Sequence, residues 1–277
     1  MKRMIFIVAG MLLAMGQTFA ARVDTLTVYS EKMGRKIQVV AVVPDKAIHT
    51  QVEKCPVLYL LHGYDGDCFI WLKINRRLTE MADRDGVMIV CPDGENSWYW
   101  DSPTKPDSQF ETFVAKELVE YIDNHYPTLA HRNGRAITGL SMGGHGALRL
   151  AIRHQDVYGA CGSTSGGVDL RPFPKSWNLR TMLGEKKMNE GVWYESTVMS
   201  QLDRLKDGAM AIIFDCGTED FFHEVNAKLH EALMKRGIHH DYISRPGKHT
   251  PSYWRNAIEY QWMYFVKYFI TIKGRLE

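Results

Sequence analysis

Gly139-Leu140-Ser141-Met142-Gly143 is the stretch that decides the fold. Arg135-Ala136-Ile137-Thr138 before it reads as a short strand, and Gly144 through Arg153 after it reads as a helix. A serine at a sharp strand-to-helix turn is held above the sheet edge with its hydroxyl exposed. The flanking glycines tolerate a strained backbone and let strand and helix approach closely. The helix N-terminus then lies under the serine and favours developing negative charge. Taken alone, the five residues would also suit a glycine-rich turn whose serine only caps a helix, so the neighbouring elements decide.

Those neighbours alternate between strands and amphipathic helices. Arg22–Ser30 and Lys36–Val43 read as an opening antiparallel pair. Pro56–Leu61 is a continuous apolar strand, as expected where helices cover both faces of a sheet. A helix is predicted over Ile70–Arg84 and a strand over Val87–Cys91. Phe110, Phe113, Val114, Leu118, Tyr121 and Ile122 recur at helical spacing, in a helix that Pro127 ends. Further strands are predicted at Gly159–Ser163, Ala209–Asp215 and Asp241–Arg245, with helices at Glu224–Arg236 and Ser252–Ile270. This order implies an α/β domain with a mostly parallel, doubly wound sheet and helices on both faces. In such sheets sites collect at the carboxyl ends of the strands. Residues 166–208 break the rhythm with Pro172, Phe173, Pro174, Trp177 and Trp193 among charged residues. They read either as a lid or binding loop, or as a surface elaboration with its own small core.

The first 20 residues have the pattern of an export signal. Lys2 and Arg3 open it, Ile5 to Met15 form an apolar run too short for a confident membrane span, and Thr18-Phe19-Ala20 offers a small-residue cleavage site. No cysteine stands at that site to suggest a lipid anchor, and no stable membrane anchor is expected. Residues 21–277 suit one large domain. Without Lys2 and Arg3, the 34 basic residues become 32 against 32 acidic ones, so nothing favours nucleic acid or an anionic surface. The five cysteines give no metal spacing and no disulfide framework. Cys91 and Cys216 read as core residues. Cys55 and Cys68 flank an extended strand about 20 Å long, beyond the roughly 7 Å a disulfide spans.

A serine needs a base, and the base an orienting acid. With an elbow of this kind the chain order is Ser, then Asp or Glu, then His, each just past a strand. Asp220 is the best acid, in the loop after the strand that ends at Asp215; Glu219 and Asp215 are rivals, Asp215 better suited to a structural role at the sheet end. His249 follows the next strand and alone satisfies order and edge together. His239 and His240 precede that strand, His145 belongs under the elbow, and His223 is the one serious competitor. The oxyanion hole needs two backbone N–H donors. Met142 supplies one and Tyr64, in the His62-Gly63-Tyr64 loop, the other. Trp98, Tyr99 and Trp100 follow another strand end and are expected to bind substrate by stacking on an aromatic acyl group or a sugar. At least one of them could instead plug the core. Phe173 and Trp177 of the insert are further candidates.

Leu60-Leu61-His62-Gly63-Tyr64-Asp65-Gly66, Pro92-Asp93-Gly94, Gly139-Leu140-Ser141-Met142-Gly143-Gly144, Asp215-Cys216-Gly217-Thr218-Glu219-Asp220 and Gly247-Lys248-His249 occur in that order. Together they resemble the esterase D–type family of α/β-hydrolases, over about residues 35–270. That family includes feruloyl and acetylxylan esterases, tributyrin and siderophore esterases, S-formylglutathione hydrolases and mycolyltransferases. The resemblance implies an α/β-hydrolase fold in a single domain, with nucleophile, acid and base at Ser141, Asp220 and His249 and oxyanion donors at Tyr64 and Met142. It departs from the family at Thr250-Pro251, where similar esterases often carry an aromatic residue.

The expected function is hydrolysis of carboxylic esters outside the cytoplasm, without metal or other cofactor, releasing feruloyl, hydroxycinnamoyl or acetyl groups from plant cell-wall polysaccharide. The rival substrates are catecholate siderophores and short acyl esters. The rival of another class is a binding protein on a hydrolase scaffold, against which an intact triad argues. The partner expected is a small or polysaccharide-linked ester, and not nucleic acid.

Overall fold

A computed structural model describes residues 21–49 and 54–276. The predicted export signal, residues 1–20, lies outside them. Eight strands form one sheet in the order β1-β2-β4-β3-β5-β6-β7-β8. They are β1 (Arg22–Ser30), β2 (Arg35–Val43), β3 (Val57–Leu61), β4 (Met88–Pro92), β5 (Arg135–Gly139), β6 (Ala160–Thr164), β7 (Ala211–Gly217) and β8 (Asp241–Arg245). β2 runs antiparallel to both β1 and β4, and every other pairing is parallel. The predicted doubly wound sheet is therefore present, with strand bounds within two residues of those expected.

Strand pleat divides the core into two. Val57, Tyr59 and Leu61 of β3 face one apolar cluster, shared with helix Met142–Arg153 and helix Leu118–His125. Leu58 and Leu60 face the other, against helix Leu78–Asp85 and helix Pro251–Leu276. Side chains two apart share a face, so a strand covered on both sides must be apolar throughout.

Two predicted helices differ in detail. The run Ile70–Arg84 is broken into Ile70–Ile74 and Leu78–Asp85. Asn75 has extended backbone there, and its Oδ1 accepts the Arg77 N–H at 3.0 Å, a local bond that competes with the helix. The helix that begins at Phe110 widens into a π-helical turn over Phe113–Glu117. Glu117 accepts bonds there from the Ser30 hydroxyl and the Lys32 N–H.

The 166–208 insert is mostly anchored. Short helices at Leu179–Leu183 and Glu190–Glu195 and a 3-10 stretch at Met199–Arg204 carry it. Leu179, Trp193, Val198 and Leu202 are buried in the same cluster as the helix after the elbow. It has no separate core, and the loop before its first helix projects beside the serine. All five cysteines are buried and unpaired.

Candidate active site

The parallel register places the site. Leu61 of β3 pairs with Gly139 of β5, so the loops that leave these two strands run side by side. A Cβ on Gly63 would stand 3.3 Å from the Ser141 Cβ. Ser141 has φ 55° and ψ −115°, a positive-φ conformation costly for a side chain, at the N-terminal position of the helix Met142–Arg153, and its hydroxyl makes no capping bond to that helix. The turn is tight because Gly143 abuts the neighbouring loop. A Cβ there would lie 2.4 Å from the Leu61 carbonyl oxygen. The amide N–H groups of Met142 and Tyr64 donate to no protein acceptor among the described residues.

Ser141, His249 and Asp220 form one hydrogen-bonded line. His249 Nδ1 is 2.8 Å from Asp220 Oδ2, and His249 Nε2 is 2.9 Å from Ser141 Oγ. A carboxylate only accepts, so Nδ1 carries the proton and Nε2 receives the serine O–H. Asp220 is held in turn by the Phe222 N–H at 2.9 Å, and its side chain is wholly buried. His249 keeps a partly open edge. The loops bearing these two residues are joined backbone to backbone: Thr218 N–H donates to the Arg245 carbonyl at 2.9 Å and Glu219 N–H to the Gly247 carbonyl at 3.0 Å. Gly217 is needed at that junction, since a Cβ would stand 2.2 Å from the Gly247 oxygen.

The rival acids and bases sit elsewhere. Glu219 is exposed, 3.6 Å from Lys248. Asp215 is buried and accepts bonds from Thr164 Oγ1 at 2.7 Å and Gln261 Nε2 at 2.6 Å; burial pushes its carboxyl above the usual range. Gln261 also accepts from Thr138, so the Gln261 amide ties the C-terminal helix both to Asp215 and to the strand that carries the elbow. His223 bonds Ser244 instead. His145 is buried beneath the elbow, between the Gly167 carbonyl and the Trp100 indole N–H. Burial drives its pKa down to about 3. His62 links two loops: its Nε2 accepts the Gly94 N–H at 2.7 Å, and its Nδ1 lies 2.7 Å from the Gly63 carbonyl.

Trp98, Tyr99 and Trp100 require correction as substrate-binding residues. They lie at the expected sheet edge, but all three are buried. Trp98 stacks on Trp100, and Tyr99 donates to the His62 carbonyl at 3.1 Å. Gly94 and Gly146 close over the Tyr99 ring. The rings pack under the His62–Tyr64 loop, Tyr99 through the His62 carbonyl and Trp98 against the Tyr64 ring at 6.4 Å. The accessible aromatic wall is formed by Phe221, half exposed and 4.3 Å from the His249 ring centre, with Trp177 5.9 Å beyond it and Phe173 behind. Trp254 meets the His249 ring edge-on at 5.0 Å. Phe173 and Trp177 were legible as candidates. Phe221 joins them, and the sequence signal for it is the aromatic pair Phe221-Phe222 directly after Asp220.

Among the described residues no cluster of His, Cys, Asp and Glu could hold a metal ion, and no helix is long and apolar enough to cross a membrane.

A family model described as "Putative esterase" matches residues 30–264. An acetyl esterase of Caldicellulosiruptor saccharolyticus is 30% identical over 257 residues, covering 85% of this chain and 95% of its own length. A ferulic acid esterase structure superposes with a TM-score of 0.78 at 27% identity, covering 91% of this chain and 99% of the other. The fluorophosphonate-binding serine hydrolase F of Staphylococcus aureus shares the fold, with a TM-score of 0.79 at 19% identity over 89% of this chain and 98% of its own. With a serine elbow on a mostly parallel sheet and a family match over most of its length, the chain belongs to this esterase family and is a serine esterase of the α/β-hydrolase fold.

Proposed function

We propose that Ser141, His249 and Asp220 are the nucleophile, base and orienting acid of an exported esterase that releases hydroxycinnamoyl or acetyl groups from sugar esters of plant cell-wall polysaccharide. The observation that carries the reading is the line Asp220–His249–Ser141, set beside two unengaged backbone N–H groups. Ser141 Oγ attacks the ester carbonyl while His249 Nε2 takes its proton. Met142 and Tyr64 N–H receive the negative charge that develops on the carbonyl oxygen. His249 then gives the proton to the departing alcohol, leaving the acyl group on Ser141. Water attacks that ester with His249 again as base, and the acid leaves. Overall, ester and water become acid and alcohol.

Support for the acyl group comes from the aromatic wall at Phe221, Trp177 and Phe173, which suits a planar ring. The related acetyl esterase and ferulic acid esterase agree with either acyl group. Support for export is the basic, then apolar, then small-residue pattern of residues 1–20. The test compares kcat/KM on methyl ferulate, acetylated xylan, tributyrin and a catecholate siderophore. A marked preference for ferulate or acetylated xylan is expected. Rapid siderophore cleavage without either would overturn the substrate assignment.

A further inference from the structure

Beside the serine elbow a second cleft opens, about 620 Å³ in volume, whose chemistry differs from that of the aromatic wall. Its lining is polar: Tyr64, Arg35, Glu95, Lys105, Asn178 and Thr181 contribute to it. Tyr64 belongs to both places. Its backbone lies in the loop next to Ser141, while its phenol oxygen receives the Asn178 Nδ2–H at 3.3 Å inside the cleft. Asn178 follows Trp177 directly, so the end of the aromatic wall is the start of the cleft.

The charges of the cleft cancel. Arg35 is committed to Glu95 through two bonds, at 2.6 and 3.0 Å, and to the Asp107 carbonyl at 2.9 Å. Two cations, Arg35 and Lys105, thus face two carboxylates, Glu95 and Asp107, across the cleft lining. An anionic ligand would therefore find no free guanidinium to grip. An apolar ligand would bury hydroxyl, amide and ammonium groups without partners, at a cost. A neutral ligand bearing many hydroxyls satisfies these donors and acceptors. The volume falls within the ~300–1,000 Å³ typical of small-ligand sites.

The geometry points to this cleft as the subsite for an uncharged, polyhydroxylated chain, an oligosaccharide that carries the scissile ester; Lys105, Asn178 and Thr181 determine specificity for it. This rests on the sugar-ester reading of the site and extends it to the part of the substrate that does not react. Binding energy gathered there acts on large substrates and is out of reach of small ones.

The test is the Lys105→Ala/Thr181→Ala double variant, with both side chains on the surface. Hydrolysis of acetylated xylo-oligosaccharides is compared with that of p-nitrophenyl acetate, for the variant and the parent enzyme. Losing one or two hydrogen bonds should lower kcat/KM on the oligosaccharide about tenfold more than on the small ester, mainly through KM. Equal losses on the two substrates, with the parent enzyme still favouring the oligosaccharide, would overturn the cleft assignment and leave the sugar-ester reading intact. A parent enzyme with no preference for the oligosaccharide over p-nitrophenyl acetate would overturn both.

Discussion

On the proposed mechanism, single side chains at the sheet edge should divide sharply into those that react and those that only stand nearby. Ser141→Ala should give a folded protein whose kcat falls on the order of 10⁶-fold, read from p-nitrophenyl acetate turnover beside an unchanged circular dichroism spectrum. A variant that kept a tenth of the activity would exclude Ser141 as nucleophile. Asp220→Asn should be severe, because the buried carboxylate alone accepts the His249 Nδ1–H. Glu219→Gln should change kcat less than threefold or so, since an exposed pair with Lys248 contributes little. Reversed severities in those two variants would reassign the acid. The aromatic residues separate in the same way. Phe221→Ala should weaken methyl ferulate hydrolysis more than p-nitrophenyl acetate hydrolysis, as a stacked ring adds ~1 kcal/mol that a small acetyl group never gains. Trp98→Ala should instead lower stability by about 3–5 kcal/mol, as truncating a buried aromatic does, and depress both substrates alike. Denaturant melts together with the two rate constants distinguish these outcomes.

Among the elements, β3, β4 and β7 were legible because unbroken apolar runs of five or six residues leave few alternatives, and the other strands from their places in the alternation with helices. Asp220 and His249, the proposed acid and base, could be picked from the chain because each follows a strand in the order the elbow requires. The break at Asn75 and the widened turn at Phe113–Glu117 were not legible. Both depend on side chains that bond a particular backbone group or a distant loop, which hydrophobic periodicity does not register. The burial of Trp98, Tyr99 and Trp100 was also hidden. A sequence places a loop at the sheet edge, but which way its rings turn depends on Gly94 of the same loop and on His62, His145 and Gly146, contributed by two other segments. Where glycine is required by close approach, the requirement is testable. Gly217→Ala should push the His249 loop away, because the new methyl would stand 2.2 Å from the Gly247 oxygen. The expected result is a fall in kcat of at least tenfold, from misplacement of the base, with a smaller effect on KM. Unchanged kcat would show that the two loops shift together without harm.

At the scale of the whole molecule, acid should be a principal threat to the fold. His145 is wholly buried, and its pKa falls from the ordinary 6.5 to about 3. The unfolded chain therefore binds a proton that the folded chain refuses between those values. The stability from this group is complete above about pH 6.5 and is lost as pH falls toward 3, a contribution on the order of 5 kcal/mol. Urea melts from pH 7 to pH 4 should show parent stability falling along this limb, and His145→Gln should flatten it. An identical pH slope in the variant would assign the acid sensitivity to other groups. Reducing agent, by contrast, should leave the melting temperature unchanged, since the five cysteines are unpaired.

The backbone ties between the acid and base loops have an evolutionary consequence. Thr218 and Glu219 tie the junction through their peptide N–H groups; their side chains, like that of Lys248, are exposed, and the Glu219–Lys248 pair there faces solvent. Any residue other than proline can supply the same N–H at positions 218 and 219. The rim around the reacting atoms is thus free to change charge, size and polarity while the spacing of Asp220 and His249 stays fixed. Only Gly217 and Gly247 are held, one by the oxygen facing it and the other by the Tyr253 ring and a φ of +150°. New substrates can be explored by drift at this rim without first dismantling the chemistry.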